Sequence, residues 1–302
     1  MTCADRFDLE EYLQARKKIV DAALDSYLPP DDVYPPVIFQ AIRYSLFSGG
    51  KRIRPILCLA AAETVGGSME AIIPVACALE MIHTYSLIHD DLPAMDNDDF
   101  RRGRLTSHKV FGEAIAILAG DALLTEAFHI LTSEDLRSNV HHGKLLDVIH
   151  GISEAAGVYG MVGGQVADII SEGAKPERAA LEFIHQRKTG AMIGVSIKSA
   201  ALLCCADERE TAALTEYGRK IGLAFQIADD ILNVEGDSRT MGKETGSDAQ
   251  SGKLTYPALM GLEESRKKAA SLVEQAIDAL SLLDHRADPL RMIAEYVAAR
   301  KS

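Results

Sequence analysis

Apolar residues recur at three- and four-residue spacing through most of the chain, in segments rich in Ala, Leu, Ile, Glu and Lys, while alternating runs bounded by turns are scarce. This pattern predicts helices over roughly 8–28, 36–48, 53–66, 69–89, 110–133, 141–154, 160–170, 177–204, 210–234, 255–282 and 287–299. The expected fold class is all-α, a bundle of about ten or more helices. Two stretches, 76–89 and 219–232, are apolar around their whole circumference and belong at the centre of the bundle. Gly157, Gly160, Gly163 and Gly164 either let two helix backbones come close or form a turn. No linker-like stretch or shift in composition divides the chain, so residues 1–302 read as a single domain.

Composition adds limits. With 47% apolar and 25% charged positions the chain can bury a core, which excludes disorder. Asp and Glu outnumber Lys and Arg by 44 to 32, a formal charge of −12, so nucleic acid and anionic membranes are poor partners and any anionic ligand needs local cations or metal. The first residues lack the apolar core of a signal peptide, and no window nears eighteen uninterrupted apolar residues. The expectation is a soluble cytoplasmic protein without membrane insertion. Five cysteines, Cys3, Cys58, Cys77, Cys204 and Cys205, show no C-x-x-C spacing and fit reduced thiols.

The densest chemistry is HTYSLIHDDLPAMDNDDFRRG, residues 83–103, an apolar helix that ends in five aspartates and then arginines. Carboxylates in apolar surroundings need a compensating cation. Oxygen ligands without cysteine favour Mg²⁺, which keeps waters and shares substrate phosphates, with Mn²⁺ as the alternative. On one unbroken helix Asp90 and Asp96 would stand about 240° apart. Pro93 is therefore expected to bend the helix and let both reach one metal cluster. The plain alternative is a solvated acidic helix end. A second pair, Asp229 and Asp230 in FQIADDILNVEGD, weakens that alternative, because Gln226 lies one turn before Asp229 and Asn233 one turn after it on an otherwise apolar helix. Two such stripes facing one another would line a central cavity with carboxylates and hold several Mg²⁺ ions and one highly anionic ligand.

Basic residues accompany both stripes. GGKRIRP sets Lys51, Arg52 and Arg54 at a glycine-marked helix start, where free N–H groups favour anions, unless it is only a solvated turn. Arg101, Arg102 and Arg104 follow the first acidic motif and suit diphosphate oxygens, or merely pair with Asp98 and Asp99 on the surface. Lys188, in KTG, points into the cavity or snorkels outward. Lys243 and Lys253 lie in a glycine-rich stretch that reads as a flap over phosphate, and its G-x₅-G-K strings lack both the spacing and the Ser or Thr of a P-loop. His83 lies two turns before Asp90 on nearly the same face, as a core histidine or a ligand-binding one.

In their order along nearly the whole chain, GGKRIRP, MIHTYSLIHDDLPAMDNDDFRRG, GGQVAD, KTG, FQIADDILNVEGD and GKETGSDAQSGKLTYPAL resemble the motifs of the trans-isoprenyl diphosphate synthases, the short-chain prenyltransferases, of bacterial farnesyl diphosphate synthase type. The resemblance implies a helical bundle around a deep cavity, a homodimer, and condensation of isopentenyl diphosphate with dimethylallyl or geranyl diphosphate. It implies that Lys51, Arg54, His83 and Arg102 hold isopentenyl diphosphate, and that Arg101, Lys188, Lys243 and Lys253 hold the allylic diphosphate. Asp90, Asp96 and Asp229 would carry three Mg²⁺ ions, with Asp91 and Asp230 as weaker or outer ligands. Thr189, Gln226 and the Lys188 carbonyl would face the allylic carbon.

One position departs from the family pattern: Asn233 stands where the second motif usually ends in aspartate. Product length rests on Tyr85, five residues before Asp90 and about 7.5 Å along the helix from it, where its ring can floor the pocket while Ser86 cannot. A lone aromatic there is similar to the bacterial fifteen-carbon producers, which implies farnesyl diphosphate, with geranylgeranyl diphosphate as the alternative. Other readings are a terpene cyclase, disfavoured by 6% aromatics and no Trp, and a metal phosphohydrolase built on His89-Asp90 with His141, His142 and His150. A non-enzymatic acidic scaffold would leave the basic clusters unexplained.

Overall fold

Helix α4 (Met69–Asp90) is the axis of the fold, and its sequence accounts for its position. Residues 75–82 are apolar except for Glu80, and all have a relative exposure of 2% or less. Such a helix is stable only when surrounded, and α1 (Leu9–Tyr27), α2 (Pro36–Leu46), α3 (Ile53–Thr64), α6 (Glu113–Leu131) and α11 (Ala191–Leu203) pack around it. The second all-round apolar stretch lies in α12 (Glu208–Glu235), which packs against α11, α13 (Tyr256–Met260), α14 (Leu262–Ala279) and α15 (Asp288–Ala299). One continuous apolar cluster joins these helices, from Tyr12 to Val297. The computed structural model describes residues 7–173, 177–235 and 254–300, and all that follows concerns these. Lys243, Lys253 and the glycine-rich stretch that holds them lie outside the described residues.

The helices follow the sequence pattern with five differences. The expected 110–133 helix divides at Gly112 (φ 83°) into α5 (Ser107–Phe111) and α6, and the expected 255–282 helix divides at Gly261 (φ 80°), both glycines adopting a backbone that side chains disfavour. The expected 177–204 helix is α10 (Arg178–His185), a π-helical turn over Gln186–Gly190, and α11. The acidic stretch runs into a small hairpin, β1 (Phe100–Arg101) and β2 (Arg104–Leu105), whose two turn residues Arg102 and Gly103 both have positive φ, 54° and 74°. A short α7 (Glu134–Asn139) precedes α8 (His142–Ala156) and α9 (Met161–Ser171).

By length and composition two helical stretches are apolar enough to cross a membrane, although neither holds eighteen uninterrupted apolar residues. In α4, 72% of the apolar window is buried within the protein, but over residues 113–139 only 39% is, so α6 keeps an uncovered apolar face that includes Ile117 and Leu118. Cys58, Cys77, Cys204 and Cys205 are free thiols.

Candidate active site

A cavity of about 1170 Å³ opens between the start of α3, the C-terminal half of α4, α9, the π-turn and α12. Its lining brings together Lys51, Arg54, His83, Tyr85, Ser86, Asp90, Arg101, Arg102, Lys188, Thr189, Gln226, Asp229 and Asp230. Asp91 and Asp96 do not line it.

The first wall is the end of α4. The helix stops at Asp90 instead of bending at Pro93, which corrects the sequence expectation. The Asp91 N–H still donates to Leu87 O (3.1 Å), and the chain then folds back until the Asp96 N–H donates to Asp90 O (2.9 Å). The fold-back brings Asp96 close enough to Asp90 for its charge to act on that carboxyl, on a side that an unbroken helix would not give it. Burial raises the Asp90 carboxyl above its ordinary range; the Lys188 charge works against this, and Asp96 and Asp91 add to it. Asp91, only 4% exposed, is turned away from the cavity and accepts from Arg101 Nε on both oxygens, at 2.7 and 2.9 Å. That grip and the hairpin hold Arg101 in place.

The cationic corner lies beside this wall. Arg52, buried at 3% exposure with φ 54°, donates to Asp21 (2.8 Å), Glu80 (2.7 Å) and Leu46 O (2.6 Å), and so fixes the loop ahead of α3. Lys51, just before it, and Arg54, two residues after it, reach the cavity. The Arg54 Nε is buried without a hydrogen-bond partner. Burial lowers its pKa, with a smaller lowering from Arg102. Arg102 donates to Gly49 O and packs on Gly50, where a Cβ would stand 2.6 Å from its Nη1. His83 is held neutral, first by burial and then by Arg54, Arg102, Arg101 and Arg52. An unpaired buried donor among like charges is costly, and an anion relieves both penalties.

The second wall is α12. Asp229 faces the cavity, 3.0 Å from Arg300 Nη1, whose guanidinium also lies over the Phe225 ring at 4.6 Å. Burial raises the Asp229 carboxyl, while Arg300, Arg54 and Lys51 oppose the shift. Asp230 is turned inward. It accepts from Gln226 Nε2 (3.0 Å) and the Tyr256 N–H (3.0 Å), with His185 Nε2 at 3.5 Å. Burial lowers His185 to about 4, so it is a neutral neighbour of Asp230. Thr189 Oγ1 donates to Gln226 Oε1 (2.6 Å), and Lys188 Nζ donates to Asp168 Oδ2 (2.7 Å). Two glycines permit this crowding: a Cβ on Gly164 would stand 2.3 Å from Lys188 N, and one on Gly222 would stand 3.0 Å from Gly190 Cα. The wide π-turn is a form that recurs at functional sites, and here it carries Lys188 and Thr189. Of the 157–164 glycines, Gly164 serves close approach, while Gly157 and Gly160 form a turn joined by a 3.0 Å hydrogen bond.

Sequence reasoning missed several contributors. Asp168 closes the GGQVAD motif and His185 lies three residues before KTG, yet neither position carries a local signal of its role. Arg52 and Glu80 pair across 28 positions, and Arg300 reaches Asp229 from the chain end. The phosphohydrolase reading fails: His141 caps α8 through the Lys144 N–H, His142 Nε2 lies 3.0 Å from Arg137 O, and neither they nor His150 line the cavity.

Mg²⁺ is the ion that the family implies. Among the described residues no three His, Cys, Asp or Glu side chains converge closely enough to hold a metal alone. The site instead offers separate carboxylates, of which Asp90 and Asp229 are both raised by burial and favoured by any added cation. That donor set suits a hard ion that takes most of its ligands from water and phosphate.

Residues 35–285 match the polyprenyl synthetase family. The chain is 48% identical to a dimethylallyltranstransferase of Fischerella ambigua, covering 97% of this chain and 84% of that one. It is 47% identical to the farnesyl diphosphate synthase of Geobacillus stearothermophilus (98% and 99% covered) and 46% identical to a geranylgeranyl diphosphate synthase of Cyanophora paradoxa (98% of each). Its fold matches the crystal structure of an apo FPP/GFPP synthase from Zymomonas mobilis with a TM-score of 0.85 at 38% identity, over 96% of this chain and 98% of that one. With the cavity chemistry, these likenesses show that the chain belongs to the polyprenyl synthetase family and is an all-α prenyltransferase.

Proposed function

We propose that this enzyme condenses isopentenyl diphosphate with dimethylallyl and then geranyl diphosphate and releases farnesyl diphosphate. The observation that carries this reading is one cavity of about 1170 Å³ that holds Asp90 and Asp229 on separate walls, the cations Lys51, Arg54, Arg101, Arg102 and Lys188 in the same lining, and an apolar side formed by Met161, Val162, Val166 and Ile169. Mg²⁺ bound by Asp90, Asp96 and Asp229, or Mn²⁺ in its place, would supply positive charge against the leaving diphosphate.

Lys51, Arg54, His83 and Arg102 bind isopentenyl diphosphate, and Arg101 and Lys188, with Lys243 and Lys253, bind the allylic diphosphate. The allylic carbon–oxygen bond breaks and its electrons leave with diphosphate. Thr189, Gln226 and the Lys188 carbonyl turn oxygens toward the electron-poor carbon, and the apolar side excludes the water that would otherwise capture it. The homoallylic double bond attacks to form the new carbon–carbon bond. Loss of a proton to the released diphosphate, the nearest base, restores a double bond.

The Tyr85 ring, 7% exposed at the cavity floor, supports the fifteen-carbon product. The alternative is the twenty-carbon geranylgeranyl diphosphate, the product named for a relative of 46% identity, against 47% for the farnesyl diphosphate synthase. A second copy of the chain covers the apolar face of α6, and the resulting homodimer works in the cytoplasm. Incubation of purified protein with Mg²⁺, dimethylallyl diphosphate and labelled isopentenyl diphosphate tests all of this. Farnesyl diphosphate as the main product, abolished by EDTA, is expected. A predominantly twenty-carbon product overturns the length assignment, EDTA-resistant turnover overturns the metal, and no elongated product overturns the activity.

A further inference from the structure

We infer that His89 and Gly120 set product length together with Tyr85: the imidazole is a wedge, seated in a notch in α6, that holds the tyrosine ring across the floor of the cavity. The inference rests on the prenyl-elongation reading above. Tyr85 and His89 lie one turn apart on α4 and meet edge to face, their centroids 5.6 Å apart and their planes at 83°, a favoured arrangement for aromatic pairs. Both rings line the cavity. An aromatic floor is only as firm as what stands beside it, and the partner of Tyr85 on this side is an imidazole held from a different helix.

That hold has two parts. His89 Nε2 lies 3.1 Å from Ile117 O of α6, and Asp121 Oδ1 is 3.8 Å away. Between these positions, Gly120 leaves the space the ring occupies: a Cβ there would stand 2.2 Å from Nε2 and 2.5 Å from Cδ2. Even alanine would therefore have to displace the imidazole. No other residue type leaves the notch empty, so Gly120 is as much a part of the floor as the two rings. His89 acts through Tyr85 and is a positioning residue for the reaction.

The two partners have opposite leverage. Truncating His89 leaves a ring-sized gap beside Tyr85, into which the tyrosine swings, and the floor drops. A methyl group at position 120 drives the imidazole off α6 toward the cavity, and the floor rises. The readout is the length distribution of products made by the intact enzyme from Mg²⁺, dimethylallyl diphosphate and labelled isopentenyl diphosphate. A distribution, unlike a rate, does not depend on the fraction of protein folded.

His89→Ala is expected to move the major product up by at least one five-carbon unit. Gly120→Ala should shift products toward ten carbons, and His89→Phe, which restores a ring against Tyr85, should return the distribution toward wild type. The inference is overturned if His89→Ala keeps the wild-type distribution while Tyr85→Ala, run beside it, lengthens the products. It is also overturned if His89→Ala and Gly120→Ala shift products in the same direction. A wild-type enzyme that yields no elongated product overturns the functional reading itself, and the unmutated protein alone reveals it.

Discussion

The two aspartate pairs read alike in sequence, yet they sit in different structural settings: Asp90 and Asp91 at the end of a helix, Asp229 and Asp230 in the body of one. Adjacent residues on a helix point about 100° apart, so the two members of each pair have different partners. At the first wall Asp90 faces it while Asp91 holds Arg101. At the second, Asp229 faces it while Asp230 holds Gln226 and the Tyr256 N–H. In each pair one carboxylate thus serves as an internal anchor for a group that works at the cavity, although Asp230 still borders the cavity and Asp91 does not. The settings differ in what accompanies the cavity carboxylate. The helix end lets the chain fold back and add Asp96, whereas the unbroken helix cannot, and Arg300 comes to Asp229 from the far end of the chain.

The largest effects should separate cavity members from anchors. Asp90→Asn and Asp229→Asn are each expected to lower turnover by about 10³-fold and to raise the Mg²⁺ concentration needed for half-maximal rate. Equal Mg²⁺ dependence in wild type and both variants would break the assignment. Melting points add a sign. A buried carboxyl with a raised pKa favours the fold below its unfolded value, near about 3.9, and that contribution is lost as pH rises through the raised folded value. Asp90→Asn escapes the loss, so at neutral pH and without metal it should melt no lower than wild type, and up to about 2–4 °C higher. At Asp229 the same substitution leaves Arg300 without its partner, and the gain should vanish.

Anchors come next. Asp230→Asn should reduce turnover by about 10–100-fold, because an amide presents a donor where Gln226 and Tyr256 both donate, yet leave the Mg²⁺ titration where it was. A shifted titration would return Asp230 to the metal. Asp168→Asn releases Lys188 from its 2.7 Å ion pair and should raise KM for the allylic diphosphate by about tenfold, with KM for isopentenyl diphosphate unchanged. Parallel changes in both constants would mean that Asp168 supports the fold in general.

What the sequence discloses about these walls follows from range. Apolar periodicity located α4 and α12 because every residue of a central helix contributes to the pattern, and both carboxylate stripes were visible as breaks in it. The fold-back after Asp90 was not visible, since Pro93 signals a break without saying whether the helix bends or ends. The π-turn at 186–190 was hidden because one widened turn barely disturbs a 3.6-residue repeat. The roles of Asp168, His185 and Arg300 depend on contacts made only after helices pack, and no local pattern announces them. The notch at Gly120 is equally silent, as a glycine inside a helical pattern reads only as a weak point.

Asn233 gives the smallest predicted effect and the sharpest test of how far the two walls differ. It lines the cavity one turn beyond Asp229, whereas the first wall has Asp96 near Asp90. Asn233→Asp adds the missing charge next to a carboxylate that burial has already raised. Two like charges on one face repel until a cation joins them, so the variant should bind Mg²⁺ with diphosphate more tightly, lowering the half-saturating metal concentration by roughly threefold, less than the 10–100-fold typical of losing an outer partner. The same repulsion should lower the metal-free melting point slightly and reverse with added Mg²⁺. Calorimetric titration of Mg²⁺ in the presence of inorganic diphosphate measures the first, and melting with and without metal measures the second. If neither moves, the stripe ends functionally at Asp229 and position 233 takes no part in holding the metal.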